Sequence, residues 1–472
     1  MKRHTVPTAI LTAFLVISAA IPASAQRLTD NANFYHSLRS PWGNAYNPAL
    51  FPKSADWYVT LPKASIQLSL PLSYDELGIT YDPVRNVSVL DANTVLDRLR
   101  HNGCNSSNQN DINLFGFGFK ISDNLHLTAS AGIKTLLSAT VPLGIVDFIS
   151  QGNLNDNNHI EFGDDDILNM SAYTYASAGA AYRLPDIPLT IGGRLNVLDG
   201  VVAASVDHIS IDLHTSEAID NMTLTADYLL HTAGCIRFEE AEGGTHTMTL
   251  DIPRNRLFPN VGFTIDLGAK YELGIFDFSL SVVDLGPGIK WRQNTTTVTP
   301  KEKDLTVNFS GINLNGLLSQ GAVDTMFLIH FRDSLLSAID YTTASGSFRH
   351  SIPTRLYAGV SADFGDLARV GYLFQGQWYN GWMNSRENGT NHFACNNTLS
   401  AHLNLFEWLE LSVSNSFSYS NQQFHAFNPG CAITIAPGKV LQLFAALEYL
   451  SSLNPERLKA AQVVIGINVV GL

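Results

Sequence analysis

The chain of 472 residues carries little charge for its length. Asp, Glu, Lys and Arg make up 15% of it, against about 25% in ordinary soluble domains, and the mean hydropathy is +0.04. Aromatic residues at 10% exclude a disordered chain, and beyond residue 25 no apolar run reaches the roughly 18 residues of a membrane-spanning helix. The net charge of −13 disfavours nucleic acid as a partner.

The first 25 residues have the pattern of a removable export signal. Lys2 and Arg3 are basic, residues 10–21 are mostly apolar, and Ala23-Ser24-Ala25 is a small-residue cleavage site. We therefore predict a signal peptide over residues 1–25. An N-terminal membrane anchor is the alternative.

A short polar motif follows the signal. Gly43-Asn44-Ala45 is followed closely by Asn47-Pro48-Ala49. Glycine permits close backbone approach and proline stiffens the chain before it, so we predict that residues 26–55 form a rigid, plug-like segment, with Gly43, Asn44, Asn47, Pro48 and Ala49 as its motif. A turn that leads into the first strand is the competing interpretation.

From Asn113 onward, apolar and polar residues alternate in segments of about ten residues, which is the period of a β-strand. In residues 261–272 the odd positions are Val, Phe, Ile, Leu, Ala and Tyr, whereas the even positions are Gly, Thr, Asp, Gly, Lys and Glu. Similar segments occupy residues 125–134, 170–184, 275–284 and 409–420. The alternation predicts strands with one apolar and one polar face.

The connections between these segments are of two kinds. Short polar turns lie at residues 122–124, 273–274, 364–366 and 436–439, whereas long hydrophilic connections lie at 151–166, 239–244, 380–391 and 421–428. Short turns at one end and long loops at the other are typical of an outer-membrane barrel, and strands of about 9 to 11 residues can cross a bilayer.

We therefore predict an all-β, transmembrane outer-membrane β-barrel of about 14 antiparallel strands, with a few short helices in the plug or loops. Its barrel domain would cover residues 56–472, and the helices are expected at 91–100, 142–151 and 322–341. The polar faces are expected to be small and uncharged, while the aromatic row Phe115, Phe117 and Phe119 faces lipid. A soluble β-sandwich or propeller is the alternative, because it also alternates.

Two clusters carry ligand-like side chains. His208, Asp212 and His214 lie on one face of a predicted strand, about 7 Å from one alternate residue to the next, and a neighbouring strand would have to complete a metal site; lumen-facing polar side chains are the simpler interpretation. Glu161 with Asp164, Asp165 and Asp166 forms an acidic loop that resembles a calcium site but lacks the spacing of an EF-hand. A solvated charge cluster is the simpler interpretation there.

No catalytic motif stands out. The chain has no HExxH, GxSxG or phosphate-loop pattern, so we predict a protein that is not an enzyme and needs no cofactor. Cys104, Cys235, Cys395 and Cys431 are widely spaced, and both disulfide bridges and free thiols remain open.

The motif over residues 39–52 resembles the N-terminal segment of FadL-like and PorV-like outer-membrane barrels. Residues 266–271, 284–286 and 466–468 add features that resemble an uncharacterised family of barrels from Bacteroidota-type bacteria. The FadL-like resemblance implies a 14-stranded barrel in the cell outer membrane with an N-terminal plug. It also implies that hydrophobic molecules pass sideways into the membrane.

Three functions are consistent with these patterns. The first is a passive, non-catalytic channel for a hydrophobic or small polar solute, whose partners are outer-membrane lipid and the solute. The second, from the PorV-like resemblance, is a binding or structural component of a secretion or attachment complex on the cell surface. The third is a soluble, secreted β-rich protein.

Overall fold

The computed structural model describes most of the chain after residue 31. The described residues are 32–37, 39–52, 55–82, 87–90, 92–102, 104–141, 144, 168–215, 222–234, 236–240, 246–250, 259–301, 304–307, 341–378, 393–420, 423–425 and 427–471. The predicted signal peptide and the predicted helices at 142–151 and 322–341 lie outside these residues, apart from single positions at 144 and 341.

The described chain consists of strands with a few short helices. The helices are α1 (Ala32–Tyr35), α2 (Gly43–Tyr46) and α3 (Ala92–Asn102), with single 3-10 turns at Asp75–Leu77, Pro437–Lys439 and Pro455–Arg457. The strands are β1 (Trp57–Ser69), β2 (Ile79–Asp82), β3 (Val87–Leu90), β4 (Asn105–Ser122), β5 (Leu125–Thr140), β6 (Leu168–Arg183), β7 (Leu189–Thr215), β8 (Met222–Gly234), β9 (Ile236–Glu240), β10 (His246–Leu250), β11 (Val261–Leu273), β12 (Phe276–Leu285), β13 (Ile289–Trp291), β14 (Thr296–Pro300), β15 (Asp304–Val307), β16 (Tyr341–Ala344), β17 (Phe348–His350), β18 (Thr354–Phe364), β19 (Ala368–Trp378), β20 (Phe393–Phe406), β21 (Leu409–Ser420), β22 (Gln423–His425), β23 (Pro429–Ile435), β24 (Leu441–Glu448) and β25 (Ala460–Gly471). Helix α3 agrees with the helix predicted at 91–100.

Fourteen of these strands form a closed antiparallel barrel, as predicted. Its wall runs through β1, β4, β5, β6, β7, β11, β12, β18, β19, β20, β21, β23, β24 and β25. The wall closes because β1 pairs with β25 on one side and with β4 on the other. Closure leaves no free edge strand in the barrel wall.

The predicted alternation sets which side chains face outward. On β11, Phe263 and Leu267 are 52% and 53% exposed, whereas Thr264 and Asp266 between them are each 1% exposed. Phe115, Phe117 and Phe119 on β4 also face outward, as expected. Because the pleat reverses direction at each residue, the polar set of β11 points into the barrel.

The two ends of the barrel differ as predicted. At one end, here called the short-turn end, the strand pairs β4–β5, β11–β12, β18–β19 and β20–β21 are joined by tight turns. Gly274 and Gly365 in these turns have φ of 63° and 64°, a left-handed conformation that glycine adopts without strain. The opposite end carries the longer connections.

The wall branches above mid-height. Strand β7 pairs with β11 through residues 189–199 and with β8 through residues 202–215. Strand β8 in turn pairs with β14 and β15. The 27 residues of β7 are more than a bilayer needs, so this branch extends the wall at the long-loop end.

The outer surface is an apolar belt with an aromatic border. Leu280, Val413 and Ile465 are 54%, 59% and 55% exposed in mid-strand. Aromatic side chains mark the short-turn end of the belt: Trp57, Phe119, Tyr182, Phe276, Phe364, Phe406 and Trp408 are all exposed. Such a band and girdle match the surface that a barrel presents to lipid. Among the helices described, none has the length and apolar content that a membrane crossing requires.

Three cysteines can be assigned. Cys104 and Cys395 are buried, Cys431 is exposed, and all three are free thiols. Cys235 lies outside the described residues. Neither Cys104, Cys395 nor Cys431 therefore supports the disulfide alternative.

Two leucines on the outward face of β11 test the apolar belt. Leu267→Lys places a charge at mid-strand, whereas Leu273→Lys places it next to the short turn, at a similar exposure of 49%. We expect the mid-strand variant to lose about 2 to 4 kcal/mol of folding free energy in lipid vesicles and the turn-side variant about 0 to 1 kcal/mol. Equal losses in urea titrations of the two vesicle-folded variants would contradict a lipid-facing belt.

Candidate functional site

The N-terminal residues 32–37 and 39–52, here called the inner segment, lie inside the barrel. Phe34, Trp42 and Asn47 are 2%, 4% and 0% exposed. The segment contains α1 and α2, and the barrel wall surrounds both helices. Every predicted motif residue from Gly43 to Ala49 therefore lies in the lumen.

The Asn-Pro-Ala motif rests on a pair of wall glycines. Gly192 on β7 and Gly268 on β11 are directly opposite each other in the sheet register. A Cβ at Gly192 would approach the backbone nitrogen of Ala49 to 2.6 Å, and a Cβ at Gly268 would overlap the side-chain oxygen of Asn47. The two glycines thus leave a flat patch without side chains on the wall, here called the Gly192–Gly268 window, and Asn47, Pro48 and Ala49 pack directly against it.

Asn47 joins the motif to the wall by hydrogen bonds. Its amide nitrogen donates to the carbonyl oxygens of Ala269 at 3.2 Å and Leu280 at 3.5 Å. Its side-chain oxygen accepts from the backbone N–H of Ala49 at 2.9 Å. Asparagine supplies both a donor and an acceptor, so one side chain fixes the turn and its position on the wall.

A second pair of wall glycines packs against α1 and the residue that follows it. Gly359 on β18 and Gly371 on β19 have room for the rings of Tyr35 and His36, where a Cβ would overlap them. The hydroxyl of Tyr35 lies 3.0 Å from the hydroxyl of Ser279. Burial, with a smaller effect of nearby His402 and Arg369, lowers the pKa of His36 to about 3, so its ring is neutral in this tight space.

The part of the inner segment that follows α1 is tied to β20, β21 and the turn between them. Ser37 donates to Glu410 at 3.0 Å, and Glu410 also lies 3.3 Å from His402. Arg39 donates to the side-chain oxygen of Asn404 at 3.2 Å and to the carbonyl of Phe406 at 3.3 Å. These bonds secure the segment at the short-turn end.

Arg194 holds the middle of the segment. From β7 its guanidinium donates to the carbonyl oxygens of Asn44 at 2.9 Å and Ala45 at 2.8 Å, and to Asp266 on β11 at 2.6 Å. On the other side, the ammonium of Lys63 lies 4.2 Å from the ring centre of Trp42, a cation–π contact. Two wall cations, Arg194 on β7 and Lys63 on β1, therefore contact α2 and the residue that precedes it.

A cavity of about 90 Å³ with a mixed lining of charged, polar and apolar side chains borders the inner segment, and we call it the central cavity. Pro41, Trp42 and Asn44 line it from the segment. The charged side chains that line it from the wall are Lys63, Asp111, Lys134, Arg194, Asp266, Asp284 and Arg355. Its volume admits several water molecules.

The prediction of an uncharged lumen is wrong. Asp284 lies 3.3 Å from Lys134 and 3.8 Å from Arg355, and Lys270 lies 3.2 Å from Asp277. Most wall strands contribute at most two charged residues, so the alternation along a single strand looks nearly neutral. The charges meet across strands, where low dielectric requires that they be paired.

The other predicted clusters lie partly or wholly outside the described residues. His208, Asp212 and His214 are in β7, but the structure does not describe their side chains. Glu161, Asp164, Asp165 and Asp166 fall outside the described residues altogether. Within the part that is described, no three His, Cys, Asp or Glu side chains converge on a metal position, so both metal-site interpretations remain predictions.

Sequence reasoning missed Arg194, Asp266 and Lys63. Two of them carried a weak signal, since Arg194 and Asp266 are charged residues on the polar face of otherwise alternating strands. Lys63 follows Pro62 at a register shift of β1 against β25, where the strand irregularity conceals the alternation.

Two adjacent glycines of β7 provide a matched test of the packing of the motif against the Gly192–Gly268 window. Gly192→Ala drives a Cβ into Pro48 and Ala49, whereas a Cβ at Gly193 would meet no heavy atom closer than 3.9 Å. Overpacking of this kind costs about 1 to 3 kcal/mol. We expect the Gly192→Ala variant to show faster amide hydrogen exchange and protease cleavage in residues 32–52, and the Gly193→Ala variant to match wild type. If both variants protect the inner segment from exchange and cleavage as well as wild type does, the motif does not pack against the Gly192–Gly268 window.

Comparison with solved structures gives similarities of low identity. Two are toluene transporters, TbuX of Ralstonia pickettii (10% identity, 92% of this chain and 94% of that chain, TM-score 0.43) and TodX of Pseudomonas putida (10%, 96% and 95%, 0.38). The translocator domain of the autotransporter NalP from Neisseria meningitidis is 7% identical over 88% of this chain and 89% of that chain, with a TM-score of 0.30. No curated protein matches the sequence.

A protein-family model also matches this chain. The family of unknown function DUF5723 matches residues 48–447, which include the Asn-Pro-Ala turn from Pro48, the Gly192–Gly268 window and both Arg194 and Asp266. This match covers most of the chain. The protein therefore belongs to the family of unknown function DUF5723.

Proposed function

We propose that this protein is a passive outer-membrane channel for a small polar solute, with the inner segment as its plug. The observation that carries the proposal is the central cavity, which lies against the inner segment and brings seven charged wall side chains together among amide, aromatic and aliphatic ones. The apolar belt and aromatic girdle support a place in the membrane. The predicted signal peptide supports export to it.

The ionic lining favours a polar solute over an apolar one. An apolar molecule in the central cavity would remove water from Lys134, Asp284 and Arg355 without replacing their hydrogen bonds, which is costly. A hydroxylated or charged solute can exchange hydrogen bonds with them. The proposal keeps the predictions that the protein is not an enzyme and that it needs no cofactor.

Liposome swelling tests the channel. Proteoliposomes in isosmotic arabinose should swell faster than protein-free liposomes, and deletion of residues 43–50 should raise the rate several-fold because it removes the turn that lies against the Gly192–Gly268 window. The exchange Arg457→Gln at an exposed loop pair serves as the control. Heat-modifiable gel migration verifies each barrel; if correctly folded wild type and deletion variant both fail to swell, the proposal fails.

A second candidate is sideways passage of an apolar solute through the wall. An outer groove of about 470 Å³ lies over β1, β24 and β25, lined mainly by Ile, Leu, Ala and Gly. Lys63 lines both this groove and the central cavity, and next to it Pro62 has no N–H for the ladder. TbuX and TodX, to which this chain is similar at 10% identity, are toluene transporters.

Filling the groove tests this second route. Ala445 lines the groove from β24, and Ala445→Leu should slow the uptake of 1-N-phenylnaphthylamine by Gram-negative cells that express the protein. Val370→Leu, at an outward position on β19 away from the groove, is the matched control. If uptake is the same in wild type and both variants, the groove is not a route.

A further inference from the structure

Two cavities lie on opposite sides of the inner segment. The central cavity occupies mid-barrel, and a lower cavity of about 40 Å³ is lined by Lys270 and Arg369 near the short turns. Pro41 and Asn44 line both cavities. The shortest path from one to the other therefore passes between these two residues and the arm of the segment that faces them.

Asn44 closes that path as a brace between two arms of the segment. Its amide nitrogen donates to the carbonyl oxygens of Pro48 at 3.2 Å and Leu50 at 2.9 Å. Its own backbone N–H donates to the carbonyl oxygen of Pro41 at 3.1 Å. One side chain thus holds the arm that begins at Pro41 against the arm that ends at Leu50.

Arg194 positions the brace. It donates to the carbonyl oxygen of Asn44 at 2.9 Å and, at 3.4 Å, to the side-chain oxygen of the same residue. Asp266 fixes the guanidinium at 2.6 Å and also accepts from the amide of Asn196 at 3.0 Å and the backbone N–H of Asp284 at 2.7 Å. The brace is therefore anchored to three wall strands, β7, β11 and β12.

We propose that the solute crosses the inner segment itself, through a constriction that Pro41 and Asn44 form between the central and lower cavities, with Asn44 as the residue that sets its width. This inference rests on the proposed channel function and names its narrowest point. Polar groups continue below the constriction, since Lys270 and Arg369 are each within 3.4 Å of Asp277. A small polar solute thus meets hydrogen-bonding groups on both sides.

Truncation and chemical regrowth of the side chain at position 44 test the constriction. Asn44→Ala removes the brace, and arabinose uptake by proteoliposomes should rise about fivefold, the factor expected when a hydrogen bond that favours the closed state is lost. Asn44→Cys should raise uptake similarly. Reaction of that cysteine with a bulky cationic methanethiosulfonate should then reduce uptake below the value of the unmodified variant, and dithiothreitol should restore it.

The controls separate this inference from loss of structure. Wild type has no cysteine at position 44, so the reagent should leave its uptake unchanged even where it reacts with the exposed native Cys431. Arg194→Gln should raise uptake as Asn44→Ala does, while Arg457→Gln should not. A general loosening of the segment would give a leak that the reagent does not reduce, and that result would overturn the constriction.

Failure of the channel function and failure of the constriction give different results. If wild type and the deletion of residues 43–50 both leave liposomes impermeable, the channel function fails and the constriction fails with it. If the deletion variant transports arabinose but Asn44→Ala, Asn44→Cys and Arg194→Gln all match wild type, the channel stands and the constriction is wrong. If arabinose uptake falls in Ala445→Leu and in none of the variants at positions 44 and 194, the solute passes through the wall groove and the constriction is wrong.

Discussion

The width of a 14-stranded barrel is the constraint on which the rest of this structure depends. Barrels of about eight strands are filled by their own side chains, whereas wider ones enclose space. Here the inner segment occupies that space, and the absence of side chains at Gly192 and Gly268, which lie opposite each other on β7 and β11, makes room for its Asn47–Ala49 turn. Without side chains at this pair, Asn47 reaches the wall carbonyls directly.

The charged lumen follows from the same constraint. Polar backbone groups of the inner segment are buried and need partners, and wall side chains supply them: Arg194 for the carbonyls of Asn44 and Ala45, Ser281 for that of Tyr46. A buried cation in turn needs an anion, which Asp266 provides. The ion pairs are thus part of how the segment is held, and they also give the central cavity its polar character.

The two proposed routes use different parts of this architecture. Passage through the segment depends on Asn44 and on groups that hydrogen bond to a polar solute. Passage through the wall depends on the irregular β1, where Pro62 interrupts the ladder and the outer groove reaches Lys63. Since Lys63 also contacts Trp42 of the segment, a movement of the segment would alter both routes.

The sequence by itself determined the strands, their faces and the two kinds of connection, because alternation and turn chemistry are local properties. It also identified Asn44, Asn47 and Pro48 as a motif. Only the tertiary structure decided what the motif contacts, because Gly192 and Gly268 are 76 positions apart and meet through the register of β7 and β11. The partnership of Arg194 with Asp266 was likewise hidden, since ion pairs across strands depend on register and leave no periodic trace along the chain.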